Sequence, residues 1–134
     1  MLNAFVGRWR TSGRVKDSHG EMLELSGSDV YEWLPGRHFL EHRVNVRIGD
    51  EPVYALEIIG VDKTSGLYFM QAFDNQGNVE EMQASCESGI WRFRGAALRF
   101  RGSFSNEGRT LSGDWEQRTG DHWHHLMSIV LEKE

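Results

Sequence analysis

The 134-residue sequence is poor in several things whose absence narrows what it can be. It has one cysteine, Cys86, so no disulfide can form within the chain, and no paired Cys/His spacing suggests a structural zinc or other metal site. A reducing compartment follows as the expectation. No stretch approaches the roughly 20 apolar residues of a membrane span, and Met1 to Trp9 lacks a charged start followed by an apolar run of signal-peptide length. The sequence therefore predicts a cytoplasmic protein with no membrane partner. An excess of positive charge is missing too: the net charge is -5 with both signs interspersed, which argues against nucleic acid as a partner. There is no nucleophile motif, and the 15 glycines are scattered through turns rather than gathered into a phosphate loop. Helical periodicity is confined to Leu2 to Val6, enough for one short turn. With no linker, repeat or low-complexity tract, residues 1–134 read as a single domain, long enough to bury roughly two-thirds of its unfolded surface.

What is present is alternation. Apolar and aromatic residues alternate with polar ones in runs separated by turn chemistry at Pro35-Gly36, Gly49-Asp50-Glu51-Pro52, Lys63 to Gly66, Asp74 to Gly77, Ser88-Gly89, Gly95-Ala96, Asn106 to Gly108 and Thr119-Gly120. About ten strands result. Pairing them across the turns tests whether one face stays apolar, because a one-residue slip would exchange the faces. Around Pro35-Gly36 the expected pairs are Trp33 with His38, Tyr31 with Leu40, Asp29 with His42, and Leu25 with Val46. Ile48 is expected to meet Val53, carrying the same face through Ala55, Glu57 and Ile59. If later connections are even, the face continues through Tyr68, Met70, Met82, Cys86, Trp91, Phe93, Phe100, Phe104, Leu111, Trp115, His124 and Leu126. The other face collects Arg92, Arg94, Arg99, Arg101, Asp114 and Glu116, as a solvated surface should. A meander with one apolar face must cover it, and closing on itself also removes the unpaired edges. The expected fold is all-β, an antiparallel up-and-down barrel of about ten strands, wide enough to leave a pocket.

Four ionisable residues fall on the apolar face: Asp29, His42, Glu57 and His124. Burying them is costly unless they pair or face a wet cavity. Asp29 opposite His42 would hold the imidazole in one orientation and raise its basicity, which suits ligand anchoring, acid-base work or a purely structural network. The run Asp121-His122-Trp123-His124-His125 offers no more than two histidines to one side, too few for a zinc site on its own. Trp91, Phe93, Phe100, Phe104 and Trp115 share the inner face, where they either form core or line a site for a flat ligand. Tyr54, Leu56, Ile58, Phe69 and Phe73 point outward as an apolar patch, and patches of that kind usually mark an interface, here a homodimer. The arginine stripe is the solvated face, partly neutralised by Asp114 and Glu116.

Gly7-Arg8-Trp9 resembles the Gly-x-Trp of the lipocalin-like (calycin) superfamily, whose Trp plugs one end of the barrel. Leu34-Pro35-Gly36-Arg37-His38-Phe39-Leu40, Gly60-Val61-Asp62 with Tyr68, and Asp74-Asn75-Gln76-Gly77 resemble a bacterial lipocalin-like family of domains of unknown function. More distantly the chain is similar to nitrobindin and fatty-acid-binding-protein barrels. It lacks the Tyr-Pro segment of the first after Gly7-Arg8-Trp9 and, near the C-terminus, the Arg-x-Tyr pair with which the second holds a carboxylate. The resemblance implies a barrel with an internal ligand and does not name it. Three functional readings follow. The first is binding of a small apolar or aromatic molecule, without a cofactor, by Asp29, Tyr31, His42, Glu57, Met70, Trp91, Trp115 and His124. The second is an enzyme using Asp29 and His42 as an acid-base pair, and the third is haem binding with His124 or His42 as axial ligand.

Overall fold

The computed structural model describes residues 2–134. A single 3-10 turn, Leu2–Phe5, precedes ten strands: β1 (Gly7–Lys16), β2 (Met22–Trp33), β3 (Phe39–Ile48), β4 (Glu51–Val61), β5 (Tyr68–Asp74), β6 (Val79–Glu87), β7 (Ile90–Arg94), β8 (Leu98–Ser105), β9 (Thr110–Thr119) and β10 (His122–Lys133). Each strand pairs antiparallel with the next, and β1 pairs with β10, so the sheet closes and leaves no edge. Among the described residues no helix is long and apolar enough to cross a membrane.

Turn chemistry sets the register. Leu34-Pro35-Gly36-Arg37 is closed by the Arg37 N–H donating to the Leu34 carbonyl at 2.9 Å, with Gly36 at φ 94°, where a Cβ would be strained. Leu34 and Phe39 then pair, so Trp33 faces Leu40, Tyr31 faces His42 and Asp29 faces Val44. This corrects the expected register by two residues and keeps every side chain on its expected face. The β3–β4 connection shortens to Gly49-Asp50, with Ile48 opposite Glu51 and Val46 opposite Val53, again a shift of two. The expectation of even connections fails at 74–78, where five residues join Phe73 to Val79. That odd length is what brings Met82 inward opposite Met70. In β10 a bulge at Leu126 moves the inner face on to Met127, Ile129 and Leu131, opposite Trp115, Gly113 and Leu111.

One end of the barrel is solid. The N-terminal turn folds into it, and Phe5 packs against Tyr31, Trp91, Phe93 and Phe104 at ring separations of 4.9–6.3 Å. Trp9 is fully buried and donates its indole N–H to the Phe5 carbonyl at 2.8 Å. Cys86 is a half-buried free thiol packed against the same cluster. On the outside, Tyr54 and Phe73 of the apolar patch are exposed while Leu56, Ile58 and Phe69 are half-buried.

Two glycines shape the wall. Gly102 and Gly113 face each other across β8 and β9, and the Phe100 ring lies over both. A Cβ added to Gly113 would come within 2.4 Å of the Phe100 ζ carbon and 2.5 Å of the Arg101 carbonyl oxygen. Gly113→Ala is therefore expected to cost about 1–3 kcal/mol of overpacking, read as a lower urea midpoint. A cost under about 0.5 kcal/mol would mean that Phe100 can swing clear.

Candidate functional site

The polar residues of the inner face form one chain across four consecutive strands. Thr11 of β1 donates its hydroxyl to Asp29 Oδ1 on β2, Asp29 Oδ2 accepts from His42 Nε2 of β3 at 2.6 Å, and His42 Nδ1 lies 2.5 Å from Glu57 Oε1 of β4. His42 and Glu57 are direct cross-strand partners, whereas Thr11–Asp29 and Asp29–His42 are diagonal contacts. Gly27, lacking a side chain, stands opposite Thr11, and Ala72 stands opposite Glu57, so neither neighbour crowds the row. The Tyr31 ring stacks on the imidazole at 3.8 Å and 9°.

Asp29 and His42 are each only 6% exposed, so their charges depend on each other. Burial alone pushes the His42 pKa down. The Glu57 charge and the hydrogen bonds to Asp29 and Glu57 outweigh it and raise the imidazole from 6.5 to about 9. At neutral pH the ring is an imidazolium donating both N–H groups to carboxylates. Burial, followed by the Asp29 and Glu57 charges, drives the Tyr31 phenol well above its ordinary value, so it stays a neutral hydroxyl.

Beyond this row lies a cavity of about 350 Å³, lined by Val44, Val46, Ile48, Val53, Ala55, Trp115 and Met127 among others. Several of these inward apolar side chains, Val44, Val53 and Trp115 included, are only half-buried, so solvent reaches the wall. Of the residues expected to line a site, Asp29, Tyr31, His42, Glu57, Met70 and Trp115 do line this cavity. Two do not. Trp91 is 3% exposed and belongs to the solid end, packed on Phe5, because the N-terminal turn fills that half of the barrel. His124 is exposed and does not line the cavity, because it lies at the barrel's rim, opposite Gln117 and two residues from the β9–β10 turn. Thr11 went unnoticed in the sequence. Its place two residues after the inward Trp9, opposite a glycine, is the signal that would have found it.

Another histidine of that run, His125, lies on the outer face. Its Nε2 is 3.0 Å from Asp114 Oδ1 and 2.9 Å from Ser128 Oγ, while Ser128 also donates to Asp114. One nitrogen meeting both partners cannot relay a proton from serine to carboxylate, so the three do not form a nucleophilic triad. They edge an open outer cleft of about 880 Å³ that includes Arg92, Arg94, Arg99 and Arg101. Arg99 pairs with Glu116 at 2.7 Å and lies 4.2 Å over the Trp123 ring.

An axial haem ligand needs a nitrogen lone pair turned to the cavity. His42 has both nitrogens on carboxylates and His124, exposed at the rim, does not line the cavity, so these residues do not fit that role. Nor, among the described residues, are three His, Cys, Asp or Glu side chains grouped to hold a metal ion. Asp29, His42 and Glu57 point at one another rather than at a common centre.

Fold and site together define a closed ten-stranded antiparallel barrel with an internal, mainly apolar cavity and one buried charged row. Among solved structures it is similar to Rv2717c from M. tuberculosis, with a TM-score of 0.72 at 17% identity over 99% of this chain and 94% of that one. It is also similar to a de novo designed fluorescence-activating β-barrel, with a TM-score of 0.52 at 16% identity over 99% and 96%. At these identities the likeness is one of fold. No family model matches the sequence, and no curated protein matches it.

Proposed function

We propose that this chain is a lipocalin-like barrel that binds a small, largely apolar or aromatic molecule in its interior. The observation that carries the reading is the cavity itself. Its volume of about 350 Å³ lies within the range of roughly 300–1,000 Å³ typical of small-molecule sites, and its wall is apolar with a few convergent polar groups. A designed barrel of similar fold activates fluorescence, which fits a fold able to hold a small aromatic molecule. The acid-base alternative rests on the short Asp29–His42 contact, but an imidazolium with both N–H groups engaged has no lone pair to accept a substrate proton. Binding therefore outranks turnover.

The neutral aromatic probe 1-N-phenylnaphthylamine tests it. Trp115 is the tryptophan in the cavity wall, so bound probe should quench tryptophan emission, and Trp115→Phe should remove most of that quenching. Saturation should also raise the melting temperature, since a ligand at about 100 times its Kd adds about 2.7 kcal/mol to the folded state. Unchanged emission and melting across a panel of neutral aromatic and aliphatic probes would end the proposal.

A further inference from the structure

Every full charge on the cavity wall except one is negative. Among the described residues Asp29, Glu57, Asp74 and Glu80 all line it, His42 is the lone cation, and no lysine or arginine does. His42 is already spent on its two carboxylates, so the buried row carries one net negative charge. Asp74, at the end of β5 opposite Ala55, adds another. Its carboxylate caps the turn by accepting from the Asn78 and Gln76 backbone N–H groups, and this holds it below the usual carboxylate range.

Two oxygens of the row remain open. Glu57 Oε1 is taken by His42, while Oε2 has no partner among the described residues. The Tyr31 hydroxyl likewise has none, although the residue is only 6% exposed. Among the described residues no fully buried side-chain oxygen or nitrogen is left unsatisfied, so neither atom is sealed in, and both residues line the cavity. A carboxylate oxygen without a partner and a neutral hydroxyl, carried by residues that flank His42 on the wall of one mainly apolar cavity, suit a hydrogen-bond donor with positive charge.

We infer that the cavity selects molecules with an apolar body and a protonated amine, the amine seated against Glu57 beside Tyr31. The inference rests on the binding function proposed above and names its ligand class. An amine regains in the Glu57 carboxylate the charge partner it loses with its water. A carboxylate ligand meets no free cation and would be buried beside like charge, the arrangement that negative selection uses to exclude a competitor.

Three probes that share one body separate the possibilities: octylamine, octanol and octanoate, titrated calorimetrically at pH 7. Octylamine should bind at least about 10-fold tighter than octanol and at least about 100-fold tighter than octanoate. Glu57→Gln, which keeps a carbonyl to accept from His42, should bring the amine-to-alcohol ratio down to about one. The wild-type ranking stands as a test even if that variant does not fold. Octanol binding as tightly as octylamine, or octanoate equalling or exceeding it, overturns the amine selection and leaves the apolar site standing. If none of the three binds and the neutral aromatic panel also fails, the binding function falls, and the amine inference with it.

Discussion

Replacing His42 with leucine should destabilise the barrel by about 3–5 kcal/mol at neutral pH, because it leaves Asp29 and Glu57 buried side by side without the cation between them. The penalty should shrink on acidification, as the stranded carboxyls take up protons. In the wild type the linkage runs the other way. The folded-state pKa of His42 lies above its unfolded value, at about 9 against 6.5, so its stabilisation is fully present below pH 6.5 and is lost as pH climbs through 9. The amount at stake is on the order of 3 kcal/mol. Urea unfolding at pH 6 and pH 9.5 should show that loss in the wild type and not in His42→Leu. Asp29→Asn should lower the His42 titration seen by NMR, since it removes one of the charges that raise it. A cost under about 1 kcal/mol for His42→Leu, with the pH dependence intact, would mean that the row is not charged as drawn. Replacing Asp29, His42 and Glu57 together with leucine should cost far less than the single change, because no charge is then stranded. A triple variant that keeps most of its stability would place the reason for the row inside the cavity rather than in the fold.

The second large effect belongs to the solid end. Trp9→Ala should cost about 3–5 kcal/mol by urea unfolding, the usual loss when a large core aromatic leaves a cavity that its surroundings cannot close. Trp9 has no exposed surface, its N–H ties β1 to the Phe5 carbonyl of the N-terminal turn, and the Lys133 ammonium lies 4.9 Å over its ring. Its loss therefore loosens the turn that plugs the barrel as well as the core beneath it. Trp9→Phe removes the donor and only part of the ring volume, so it should cost less than half as much. Trp33→Ala is the control, since Trp33 is half-buried and bonds only the Asn3 side chain at 3.0 Å. Equal costs at Trp9 and Trp33 would show that the plug carries no special share of the stability.

Which face the side chains of β2 to β4 occupy was legible in the sequence, because strand alternation has a period of two and the closing of an apolar face on itself follows from burial alone, whereas the bulge at Leu126 that rephases β10 was not. Asp29, Tyr31, His42, Glu57 and Met70 could thus be set inside a barrel without coordinates. Which of them touch was decided elsewhere. The partner of His42 depends on loop lengths at Leu34–Phe39 and Gly49-Asp50, and a two-residue change there preserves the face while moving every pair along the ladder. Asp29 accordingly reaches His42 on the diagonal, and Glu57, singled out only as an ionisable residue on the inner face, proves to be its direct partner. The division of the interior into a solid end and an open one is likewise absent from any strand pattern. It arises because the turn Leu2–Phe5 folds back into one end, so Trp91 becomes core and Trp115 becomes cavity wall although both face inward. Alternation is a local property of one strand, whereas cavity position and charge pairing depend on how ten strands and one turn share a closed volume.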